Sequence, residues 1–82
     1  MRLEGKTAII TGGGSGFGEG IVRKFVAEGA KIVLVDRDEA NAARVAAGDQ
    51  AAIEPLVADV ASAEGFEKAR DTAVKRFGRL DI

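Results

Sequence analysis

One glycine-rich stretch constrains the fold of this chain more than any other feature: Thr11-Gly12-Gly13-Gly14-Ser15-Gly16-Phe17-Gly18. It follows a short apolar, β-prone segment at residues 7–10. The residues after it have the spacing of an amphipathic helix, with apolar side chains at Ile21, Val22, Phe25 and Val26. Glycine is favoured where φ is positive, or where a Cβ would collide with a ligand. A glycine turn between a strand and a helix lets backbone approach a diphosphate, which the helix N-terminus then binds. The alternative is a turn of the same shape with no ligand.

The rest of the chain alternates between strand-like and helix-like segments. The predicted strands are residues 6–11, 31–35 and a segment within 52–58, and the predicted helices are 17–28, 38–47 and 63–77. On the last helix, the apolar face is predicted to consist of Phe66, Ala69, Ala73 and Phe77. Pro55 indicates an edge position for the third strand, or a strand confined to residues 56–58. A further apolar segment begins at residue 80.

This alternation predicts an α/β fold with a parallel sheet and right-handed crossover helices. The second strand then lies beside the first, the third beside the second, and a fourth on the other side of the first. The predicted class is a Rossmann-like doubly wound parallel sheet, of which the chain supplies the N-terminal βαβαβα(β) part. Ligands of such sheets bind at the carboxyl ends of the strands, where the strand order reverses.

Asp36 follows the second predicted strand, at the same edge of the sheet as the glycine turn. It comes 18 residues after Gly18, close to the spacing at which an acid meets the ribose of a dinucleotide. Its carboxylate would accept hydrogen bonds from both ribose hydroxyls of NAD. It would repel the 2′-phosphate of NADP by on the order of 4 kcal/mol, if two charges lie about 4 Å apart near a surface. Arg37 could instead hold that phosphate, so NADP remains the second choice. Asp36 could also cap the next helix, although Asp38 is better placed to do so.

Composition excludes several classes of function. The net charge is -1 and the basic residues are scattered, which does not favour nucleic-acid binding. No apolar run is long enough to span a membrane, and residues 1–5 lack the apolar core of a secretory signal, so we expect a cytoplasmic protein. The chain has no His, Cys, Tyr or Trp. We therefore predict no metal site of Cys and His, no Cys nucleophile, and no proton transfer by His or Tyr within these 82 residues.

The spacing of the glycines fails the common G-x-G-x-x-G pattern but matches Thr-Gly-x-x-x-Gly-x-Gly, at Thr11, Gly12, Gly16 and Gly18. At these residues the chain resembles the short-chain dehydrogenase/reductase family. The resemblance extends from residue 6 to residue 82. It implies an NAD(P)-dependent oxidoreductase that acts on an alcohol, ketone or 3-oxoacyl substrate, with NAD favoured over NADP as the cofactor.

The resemblance also implies which residues bind the cofactor. The phosphate turn would be formed by Gly12, Gly14, Ser15, Gly16, Phe17 and Gly18. Phe17 occupies a position where members usually carry Ile or Leu, and its side chain could also be a core residue at the helix start. Asp59 and Val60 resemble the adenine pocket, where the acid accepts from the amino group and the next backbone N–H meets a ring nitrogen. Asp59 could equally be an acid that only ends a strand.

Members of this family have about 250 residues in one domain, a size that single α/β units reach. In them, residues 78–82 would lead into an Asn-Asn-Ala-Gly stretch, followed later by a catalytic Ser and a Tyr-x-x-x-Lys pair. We therefore expect residues 1–82 to be the N-terminal part of one NAD(P)-binding domain, truncated at the start of the fourth strand and inactive alone. The full-length parent would be a homo-oligomer, commonly a tetramer. The alternatives are a non-catalytic nucleotide-binding module and, against the glycine spacing, a fragment of an S-adenosylmethionine-dependent methyltransferase.

Overall fold

A computed structural model describes residues 2–12, 16–59 and 61–82 of the chain. Strands and helices alternate along it. The elements are β1 (Thr7–Thr11), α1 (Gly16–Ala27), β2 (Lys31–Asp36), α2 (Glu39–Ala46), β3 (Ile53–Val57) and α3 (Ala63–Phe77). The three strands are parallel and lie in the order β1-β2-β3. The predicted fold class and strand order are thus confirmed, and the ends of the elements differ from the predicted ones by at most one residue.

The central strand β2 is buried on both faces of the sheet. Its side chains from Ile32 to Val35 are at most 1% exposed, as expected for a continuous apolar run. On one face, Ile32 and Leu34 pack in a core that includes α1 and α2 residues, among them Val22 and Val45. On the other face, Val33 and Val35 form a core with Ala69 and Ala73 of α3. The sheet is therefore covered by helices on both faces, which makes it doubly wound.

The apolar face of α3 is shorter than the sequence predicts. Ala69 and Ala73 are fully buried and Phe77 packs against the same core, but the side chain of Phe66 is 51% exposed. Fifteen helical residues span about 22 Å. The five residues of β3 span about 17 Å. The first turn of α3 therefore extends past the sheet, and the prediction of a buried Phe66 is wrong for that reason.

Proline at position 55 is accommodated because β3 is an edge strand. Ile32 N–H donates to the Ala52 carbonyl and Ala58 N–H donates to the Asp36 carbonyl, so the even-numbered residues of this segment face β2. The nitrogen of Pro55 therefore faces the outer edge, where its missing N–H costs no ladder hydrogen bond. The predicted edge position is confirmed, whereas the alternative of a strand confined to residues 56–58 is wrong.

The residues after α3 bond to β1 on the side away from β2. The Thr7 carbonyl accepts hydrogen bonds from Asp81 N–H (2.8 Å) and Ile82 N–H (3.1 Å). The Lys6 carbonyl accepts from Lys31 N–H, on the β2 side. Because successive carbonyls of a strand point to opposite sides, Asp81 and Ile82 lie at the opposite edge of β1. The sequence predicts the next apolar segment at this edge.

Asp81 is held by two partners. Its carboxylate accepts from the Thr7 N–H (2.9 Å) and from two guanidinium nitrogens of Arg79 (2.8 and 2.6 Å). The hydrogen bonds from Arg79, and then the one from Thr7, lower the pKa of Asp81 below its ordinary value. A carboxyl with a lowered folded-state pKa stabilises the fold above the unfolded value of about 4. That contribution is lost as the pH falls through the folded-state pKa.

Asp81→Asn is therefore expected to lower the melting temperature at neutral pH. The difference between wild type and variant should shrink as the pH is lowered from about 5 to about 3, because the wild-type carboxyl then becomes neutral as well. Thermal melts followed by circular dichroism across this range measure the effect. Asp71→Asn is the matched control, because the Asp71 side chain is 75% exposed and pairs with Arg70 only at 3.8 Å. A difference for Asp81→Asn that stays constant with pH would contradict the assignment.

None of the helices in the described ranges combines the length and apolar character that crossing a bilayer requires.

Candidate functional site

The carboxyl ends of the three strands place the predicted site residues side by side. Thr11 lies opposite Val35, and Asp36 lies opposite Val57. Gly12 N–H donates to the Val35 carbonyl at 2.7 Å, which extends the β1–β2 ladder into the glycine turn. The glycine turn, the end of β2 and the residues after β3 therefore meet at one edge of the sheet, as the alternation of elements predicts.

The glycine turn requires glycine for its backbone conformation. Gly12 has φ of 64° and Gly16 has φ of 44°, in the left-handed region that other residues rarely adopt. A Cβ built on either residue meets no described atom within 4 Å. Among the described residues, none occupies the space next to these two glycines. Two other predicted members of the turn, Gly14 and Ser15, lie outside the described residues.

Helix α1 begins at Gly16, directly at the turn. The first four N–H groups of an α-helix have no partner within the helix, and the helix dipole adds partial positive charge at that end. Gly18 lies in this first turn of the helix. Twelve residues make α1 long enough to build up such a dipole. The donors, the charge and the open space together fit an anionic group such as a diphosphate.

Phe17 is the second residue of α1, and its side chain is 87% exposed. The alternative prediction that Phe17 is a core residue is therefore wrong. The physical reason is its angular position: it precedes the buried Val22 by five residues, which places it about 140° away around the helix axis. The ring lies at the same end of the helix as the glycine turn. The backbone N–H of Phe17 is among the first four of α1, which have no partner within the helix.

Asp36, the last residue of β2, and Asp38, the residue before α2, have separate roles. Asp38 is the N-cap of α2, and its side chain accepts from Asn41 N–H at 3.1 Å. Asp36 accepts from Asp38 N–H at 2.9 Å, which orients its half-buried carboxylate at the edge of the sheet. The helix cap is thus supplied by Asp38, so the alternative role of Asp36 as the cap is not the one observed. Arg37, between the two acids, is exposed.

Asp59 lies two residues after β3 and accepts hydrogen bonds from the residues that precede α3. Its carboxylate accepts from Ala61 N–H at 2.9 Å, a hydrogen bond typical of an Asx turn. Its carbonyl accepts from both the N–H (3.3 Å) and the hydroxyl (3.0 Å) of Ser62. Asp59 is exposed, so an oriented carboxylate faces solvent at this corner of the site. Val60, the second predicted adenine contact, lies outside the described residues.

Glu19 joins α1 to α2 through ion pairs, a contact that the sequence analysis does not predict. From the first turn of α1, its carboxylate pairs with Arg23 at 2.6 Å and with Arg44 of α2 at 3.2 Å. The hydrogen bonds from Arg23, and then from Arg44, lower the pKa of Glu19 below its ordinary value. The spacing of four residues could have predicted the Arg23 pair. Arg44 is 25 residues away, and its pairing depends on how α1 and α2 pack.

Within residues 2–12, 16–59 and 61–82, no group of three or more His, Cys, Asp or Glu side chains is arranged to hold a metal ion.

Comparison with known families agrees with this architecture. Residues 6–82 match the family model described as short chain dehydrogenase. The match includes the glycine turn, Asp36, and all six strands and helices described above. The chain belongs to the short-chain dehydrogenase family.

Individual relatives match nearly the whole chain. It is 43% identical over 83 residues to cis-1,2-dihydrobenzene-1,2-diol dehydrogenase of Pseudomonas putida, covering 99% of this chain and 30% of the relative. It is 42% identical over 80 residues to L-fucose dehydrogenase of Bos taurus, covering 98% and 29%. The chain thus spans about a third of the length of these relatives.

Two solved structures with bound dinucleotides have the same fold. One is the crystal structure of 3-ketoacyl-(acyl-carrier-protein) reductase from Brucella melitensis complexed with NADH. It matches with a TM-score of 0.90 and 47% identity, over 96% of this chain and 33% of that one. The other is a short-chain dehydrogenase/reductase from Burkholderia phymatum in complex with NAD. It matches with a TM-score of 0.88 and 35% identity, over 98% and 30%.

Proposed function

We propose that this chain forms the dinucleotide-binding part of an NAD-dependent oxidoreductase that interconverts an alcohol and a ketone. The observation that carries the proposal is the juxtaposition of Asp36 with the glycine turn. Gly12, after β1, and Gly16, at the start of α1, both have left-handed backbone conformations. The neighbouring strand β2 ends in the Asp36 carboxylate, which the Asp38 N–H orients. Two structural relatives with this fold contain NADH or NAD. When bound, the nicotinamide ring supplies the hydride chemistry.

In this proposal the phosphate turn binds the pyrophosphate through backbone N–H groups. It comprises Gly12, Gly14, Ser15, Gly16, Phe17 and Gly18. The side chain of Phe17 is not needed for that contact, since the donors belong to the backbone of the first helical turn.

Asp36 accepts hydrogen bonds from the two hydroxyls of the adenosine ribose. Its carboxylate stands at the end of β2, and Gly12 bonds to the residue before it, so sugar and pyrophosphate sites adjoin. The same charge opposes a 2′-phosphate, which is why we propose NAD rather than NADP. Arg37, next in sequence and exposed, is the residue through which some NADP binding would persist.

Asp59 and Val60 form the adenine end of the proposed site. The Asp59 carboxylate, oriented by Ala61 N–H, accepts from the adenine amino group, and the Val60 N–H donates to a ring nitrogen. Asp59 follows the strand beside β2, so the sites for phosphate, ribose and adenine succeed one another along one edge of the sheet.

We further propose that residues 1–82 are the N-terminal part of one dinucleotide-binding domain. Support comes from Asp81 and Ile82, which bond along β1 where a fourth strand would add, and from relatives about three times as long. Substrate and catalytic groups would then lie elsewhere in the intact protein, which we propose is a homo-oligomer. Relatives named for diols, sugars and 3-ketoacyl substrates support an alcohol or ketone as the substrate class.

Calorimetric titration of the intact protein with NAD, NADP and S-adenosylmethionine tests the proposed function. We expect NAD to bind at least about tenfold more tightly than NADP, because the repulsion at Asp36 exceeds about 1.4 kcal/mol. S-adenosylmethionine should not bind. Tighter binding of NADP would contradict the assignment of Asp36. Binding of NAD without reduction by any diol, sugar or secondary alcohol would favour the non-catalytic nucleotide-binding module.

A further inference from the structure

Gly65, the third residue of α3, is a buried glycine whose missing side chain has a specific consequence. A Cβ built on it would overlap the carbonyl oxygen of Asp59 and lie 2.7 Å from the carbonyl carbon. It would also lie 3.0 Å from the Ser62 hydroxyl. Real Cβ atoms essentially never come this close to backbone, so the Asp59 carbonyl can rest against α3 only because residue 65 is glycine.

The hydroxyl of Ser62 fixes this close approach. It donates to the Asp59 carbonyl at 3.0 Å and accepts from Gly65 N–H at 3.0 Å. One hydroxyl therefore links the backbone of Asp59, which follows β3, to the first turn of α3. Ser62 is also the N-cap of α3, so the link is as rigid as the helix start itself.

The same turn sets the direction of the Asp59 carboxylate. That carboxylate accepts from Ala61 N–H at 2.9 Å, within the segment that lies against Gly65. Moving the Asp59 carbonyl away from α3 would rotate this segment and the side chain with it. We propose that Gly65 is a positioning residue for Asp59: its lack of a side chain holds that carboxylate where it selects adenine. The inference rests on the proposed function, in which Asp59 accepts from the adenine amino group.

The selectivity between two dinucleotides tests this role. In nicotinamide hypoxanthine dinucleotide the adenine amino group is replaced by a carbonyl oxygen, which cannot donate to a carboxylate. The adjacent ring nitrogen N1 also gains a hydrogen, so the Asp59 contribution is measured by how each variant changes the ratio. The wild-type intact protein should bind NAD about tenfold or more tightly than this analogue, since a hydrogen bond to a charged group is lost. The ratio of the two dissociation constants is insensitive to a general loss of folded protein.

Gly65→Ala is expected to reduce this ratio to about threefold or less. Gly20→Ala is the matched control: Gly20 lies within α1 and a Cβ there meets no described atom within 4 Å. The control should leave the ratio unchanged. Asp59→Ala separates the two hypotheses, because it removes the proposed acceptor, whereas Asn would keep an amide oxygen that can accept from the adenine amino group. A ratio unchanged by Asp59→Ala would show that Asp59 does not bind adenine. A ratio reduced by Asp59→Ala but unchanged by Gly65→Ala would overturn the role of Gly65.

Ser62→Ala provides a second test that does not depend on whether Gly65→Ala folds. It removes the hydroxyl link while residue 65 stays glycine, so we expect a reduced ratio. Ser62→Thr keeps the hydroxyl and should restore the wild-type ratio. If Gly65→Ala does not fold and Ser62→Ala leaves the ratio at the wild-type value, the proposed link between α3 and Asp59 is wrong.

Discussion

Replacing Asp36 with Ala is expected to weaken NAD binding by about 100-fold or more and to leave NADP binding unchanged or tighter. The loss follows from hydrogen bonds between the ribose hydroxyls and a charged acceptor, each of which contributes about 1.5–3 kcal/mol. The opposite response of NADP follows from removing a negative charge near its 2′-phosphate. Parallel titrations of wild type and variant with both dinucleotides measure the change in preference.

Asp38→Asn is the control for this experiment. It removes one negative charge two residues away, while Asn retains the ability to cap α2. The backbone N–H of residue 38, which orients Asp36, is unaltered by the substitution. We therefore expect the preference for NAD to persist in Asp38→Asn. An equal change of preference in both variants would show that the general charge of this loop, and not the Asp36 carboxylate, discriminates between the dinucleotides.

Gly16→Ala should abolish most binding of both NAD and NADP, with a loss of about tenfold or more. With φ of 44°, this residue occupies a conformation that costs an alanine about 1–2 kcal/mol. The turn can relieve that strain by shifting the N–H groups at the start of α1, and the new methyl group occupies the open space beside them. Because both dinucleotides carry the same pyrophosphate, their affinities should fall together. Calorimetry with each cofactor measures the loss.

Gly78→Ala is the matched control for the glycine turn. Gly78 is the C-cap of α3 with φ of 86°, and a Cβ on it also meets no described atom within 4 Å. The residues after Gly78 bond to Thr7 at the start of β1, whereas the glycine turn follows the end of β1. Gly78 therefore lies at the other end of the strands from the glycine turn. The two variants should lose similar stability in thermal melts, yet only Gly16→Ala should lose cofactor affinity. Equal losses of affinity would mean that strain alone, and not its location, weakens binding.

The parts of the fold that follow from local sequence could be predicted closely. The apolar run of β2 predicts a strand buried on both faces, and residues 32–35 are indeed at most 1% exposed. Ser62 and Gly78 mark the two ends of α3, since a hydroxyl cap and a left-handed glycine act within one turn of the helix. Asp36 could be placed beside the glycine turn because parallel strands end at a common edge.

Features that depend on the distance between elements could not be predicted. Phe66 has the spacing of a buried residue, but its burial depends on how far the sheet extends beneath α3. The Glu19–Arg44 pair joins two helices whose separation is set by packing on β2. The need for glycine at position 65 follows only from the position of the Asp59 carbonyl beside it. In each case the deciding quantity is a contact between segments that are not adjacent in sequence.

The preference for Asp at a helix N-cap helps to separate the roles of Asp36 and Asp38. Both acids precede α2 at positions where a cap could form, and the sequence alone favours Asp38. In the structure, Asp38 is the N-cap of α2, and its backbone N–H donates to the Asp36 carboxylate and orients it. A carboxylate that is oriented but not needed as a cap is suited to a ligand. The proposed ribose contact depends on this arrangement.

A crystal structure of the intact protein with NAD tests the central claim most directly. The pyrophosphate is expected above the glycine turn, within hydrogen-bond distance of the N–H groups at the start of α1, and both ribose hydroxyls should donate to Asp36. Dinucleotide bound at any other edge of the sheet, or bound above the turn with its ribose turned away from Asp36, would contradict the proposed site.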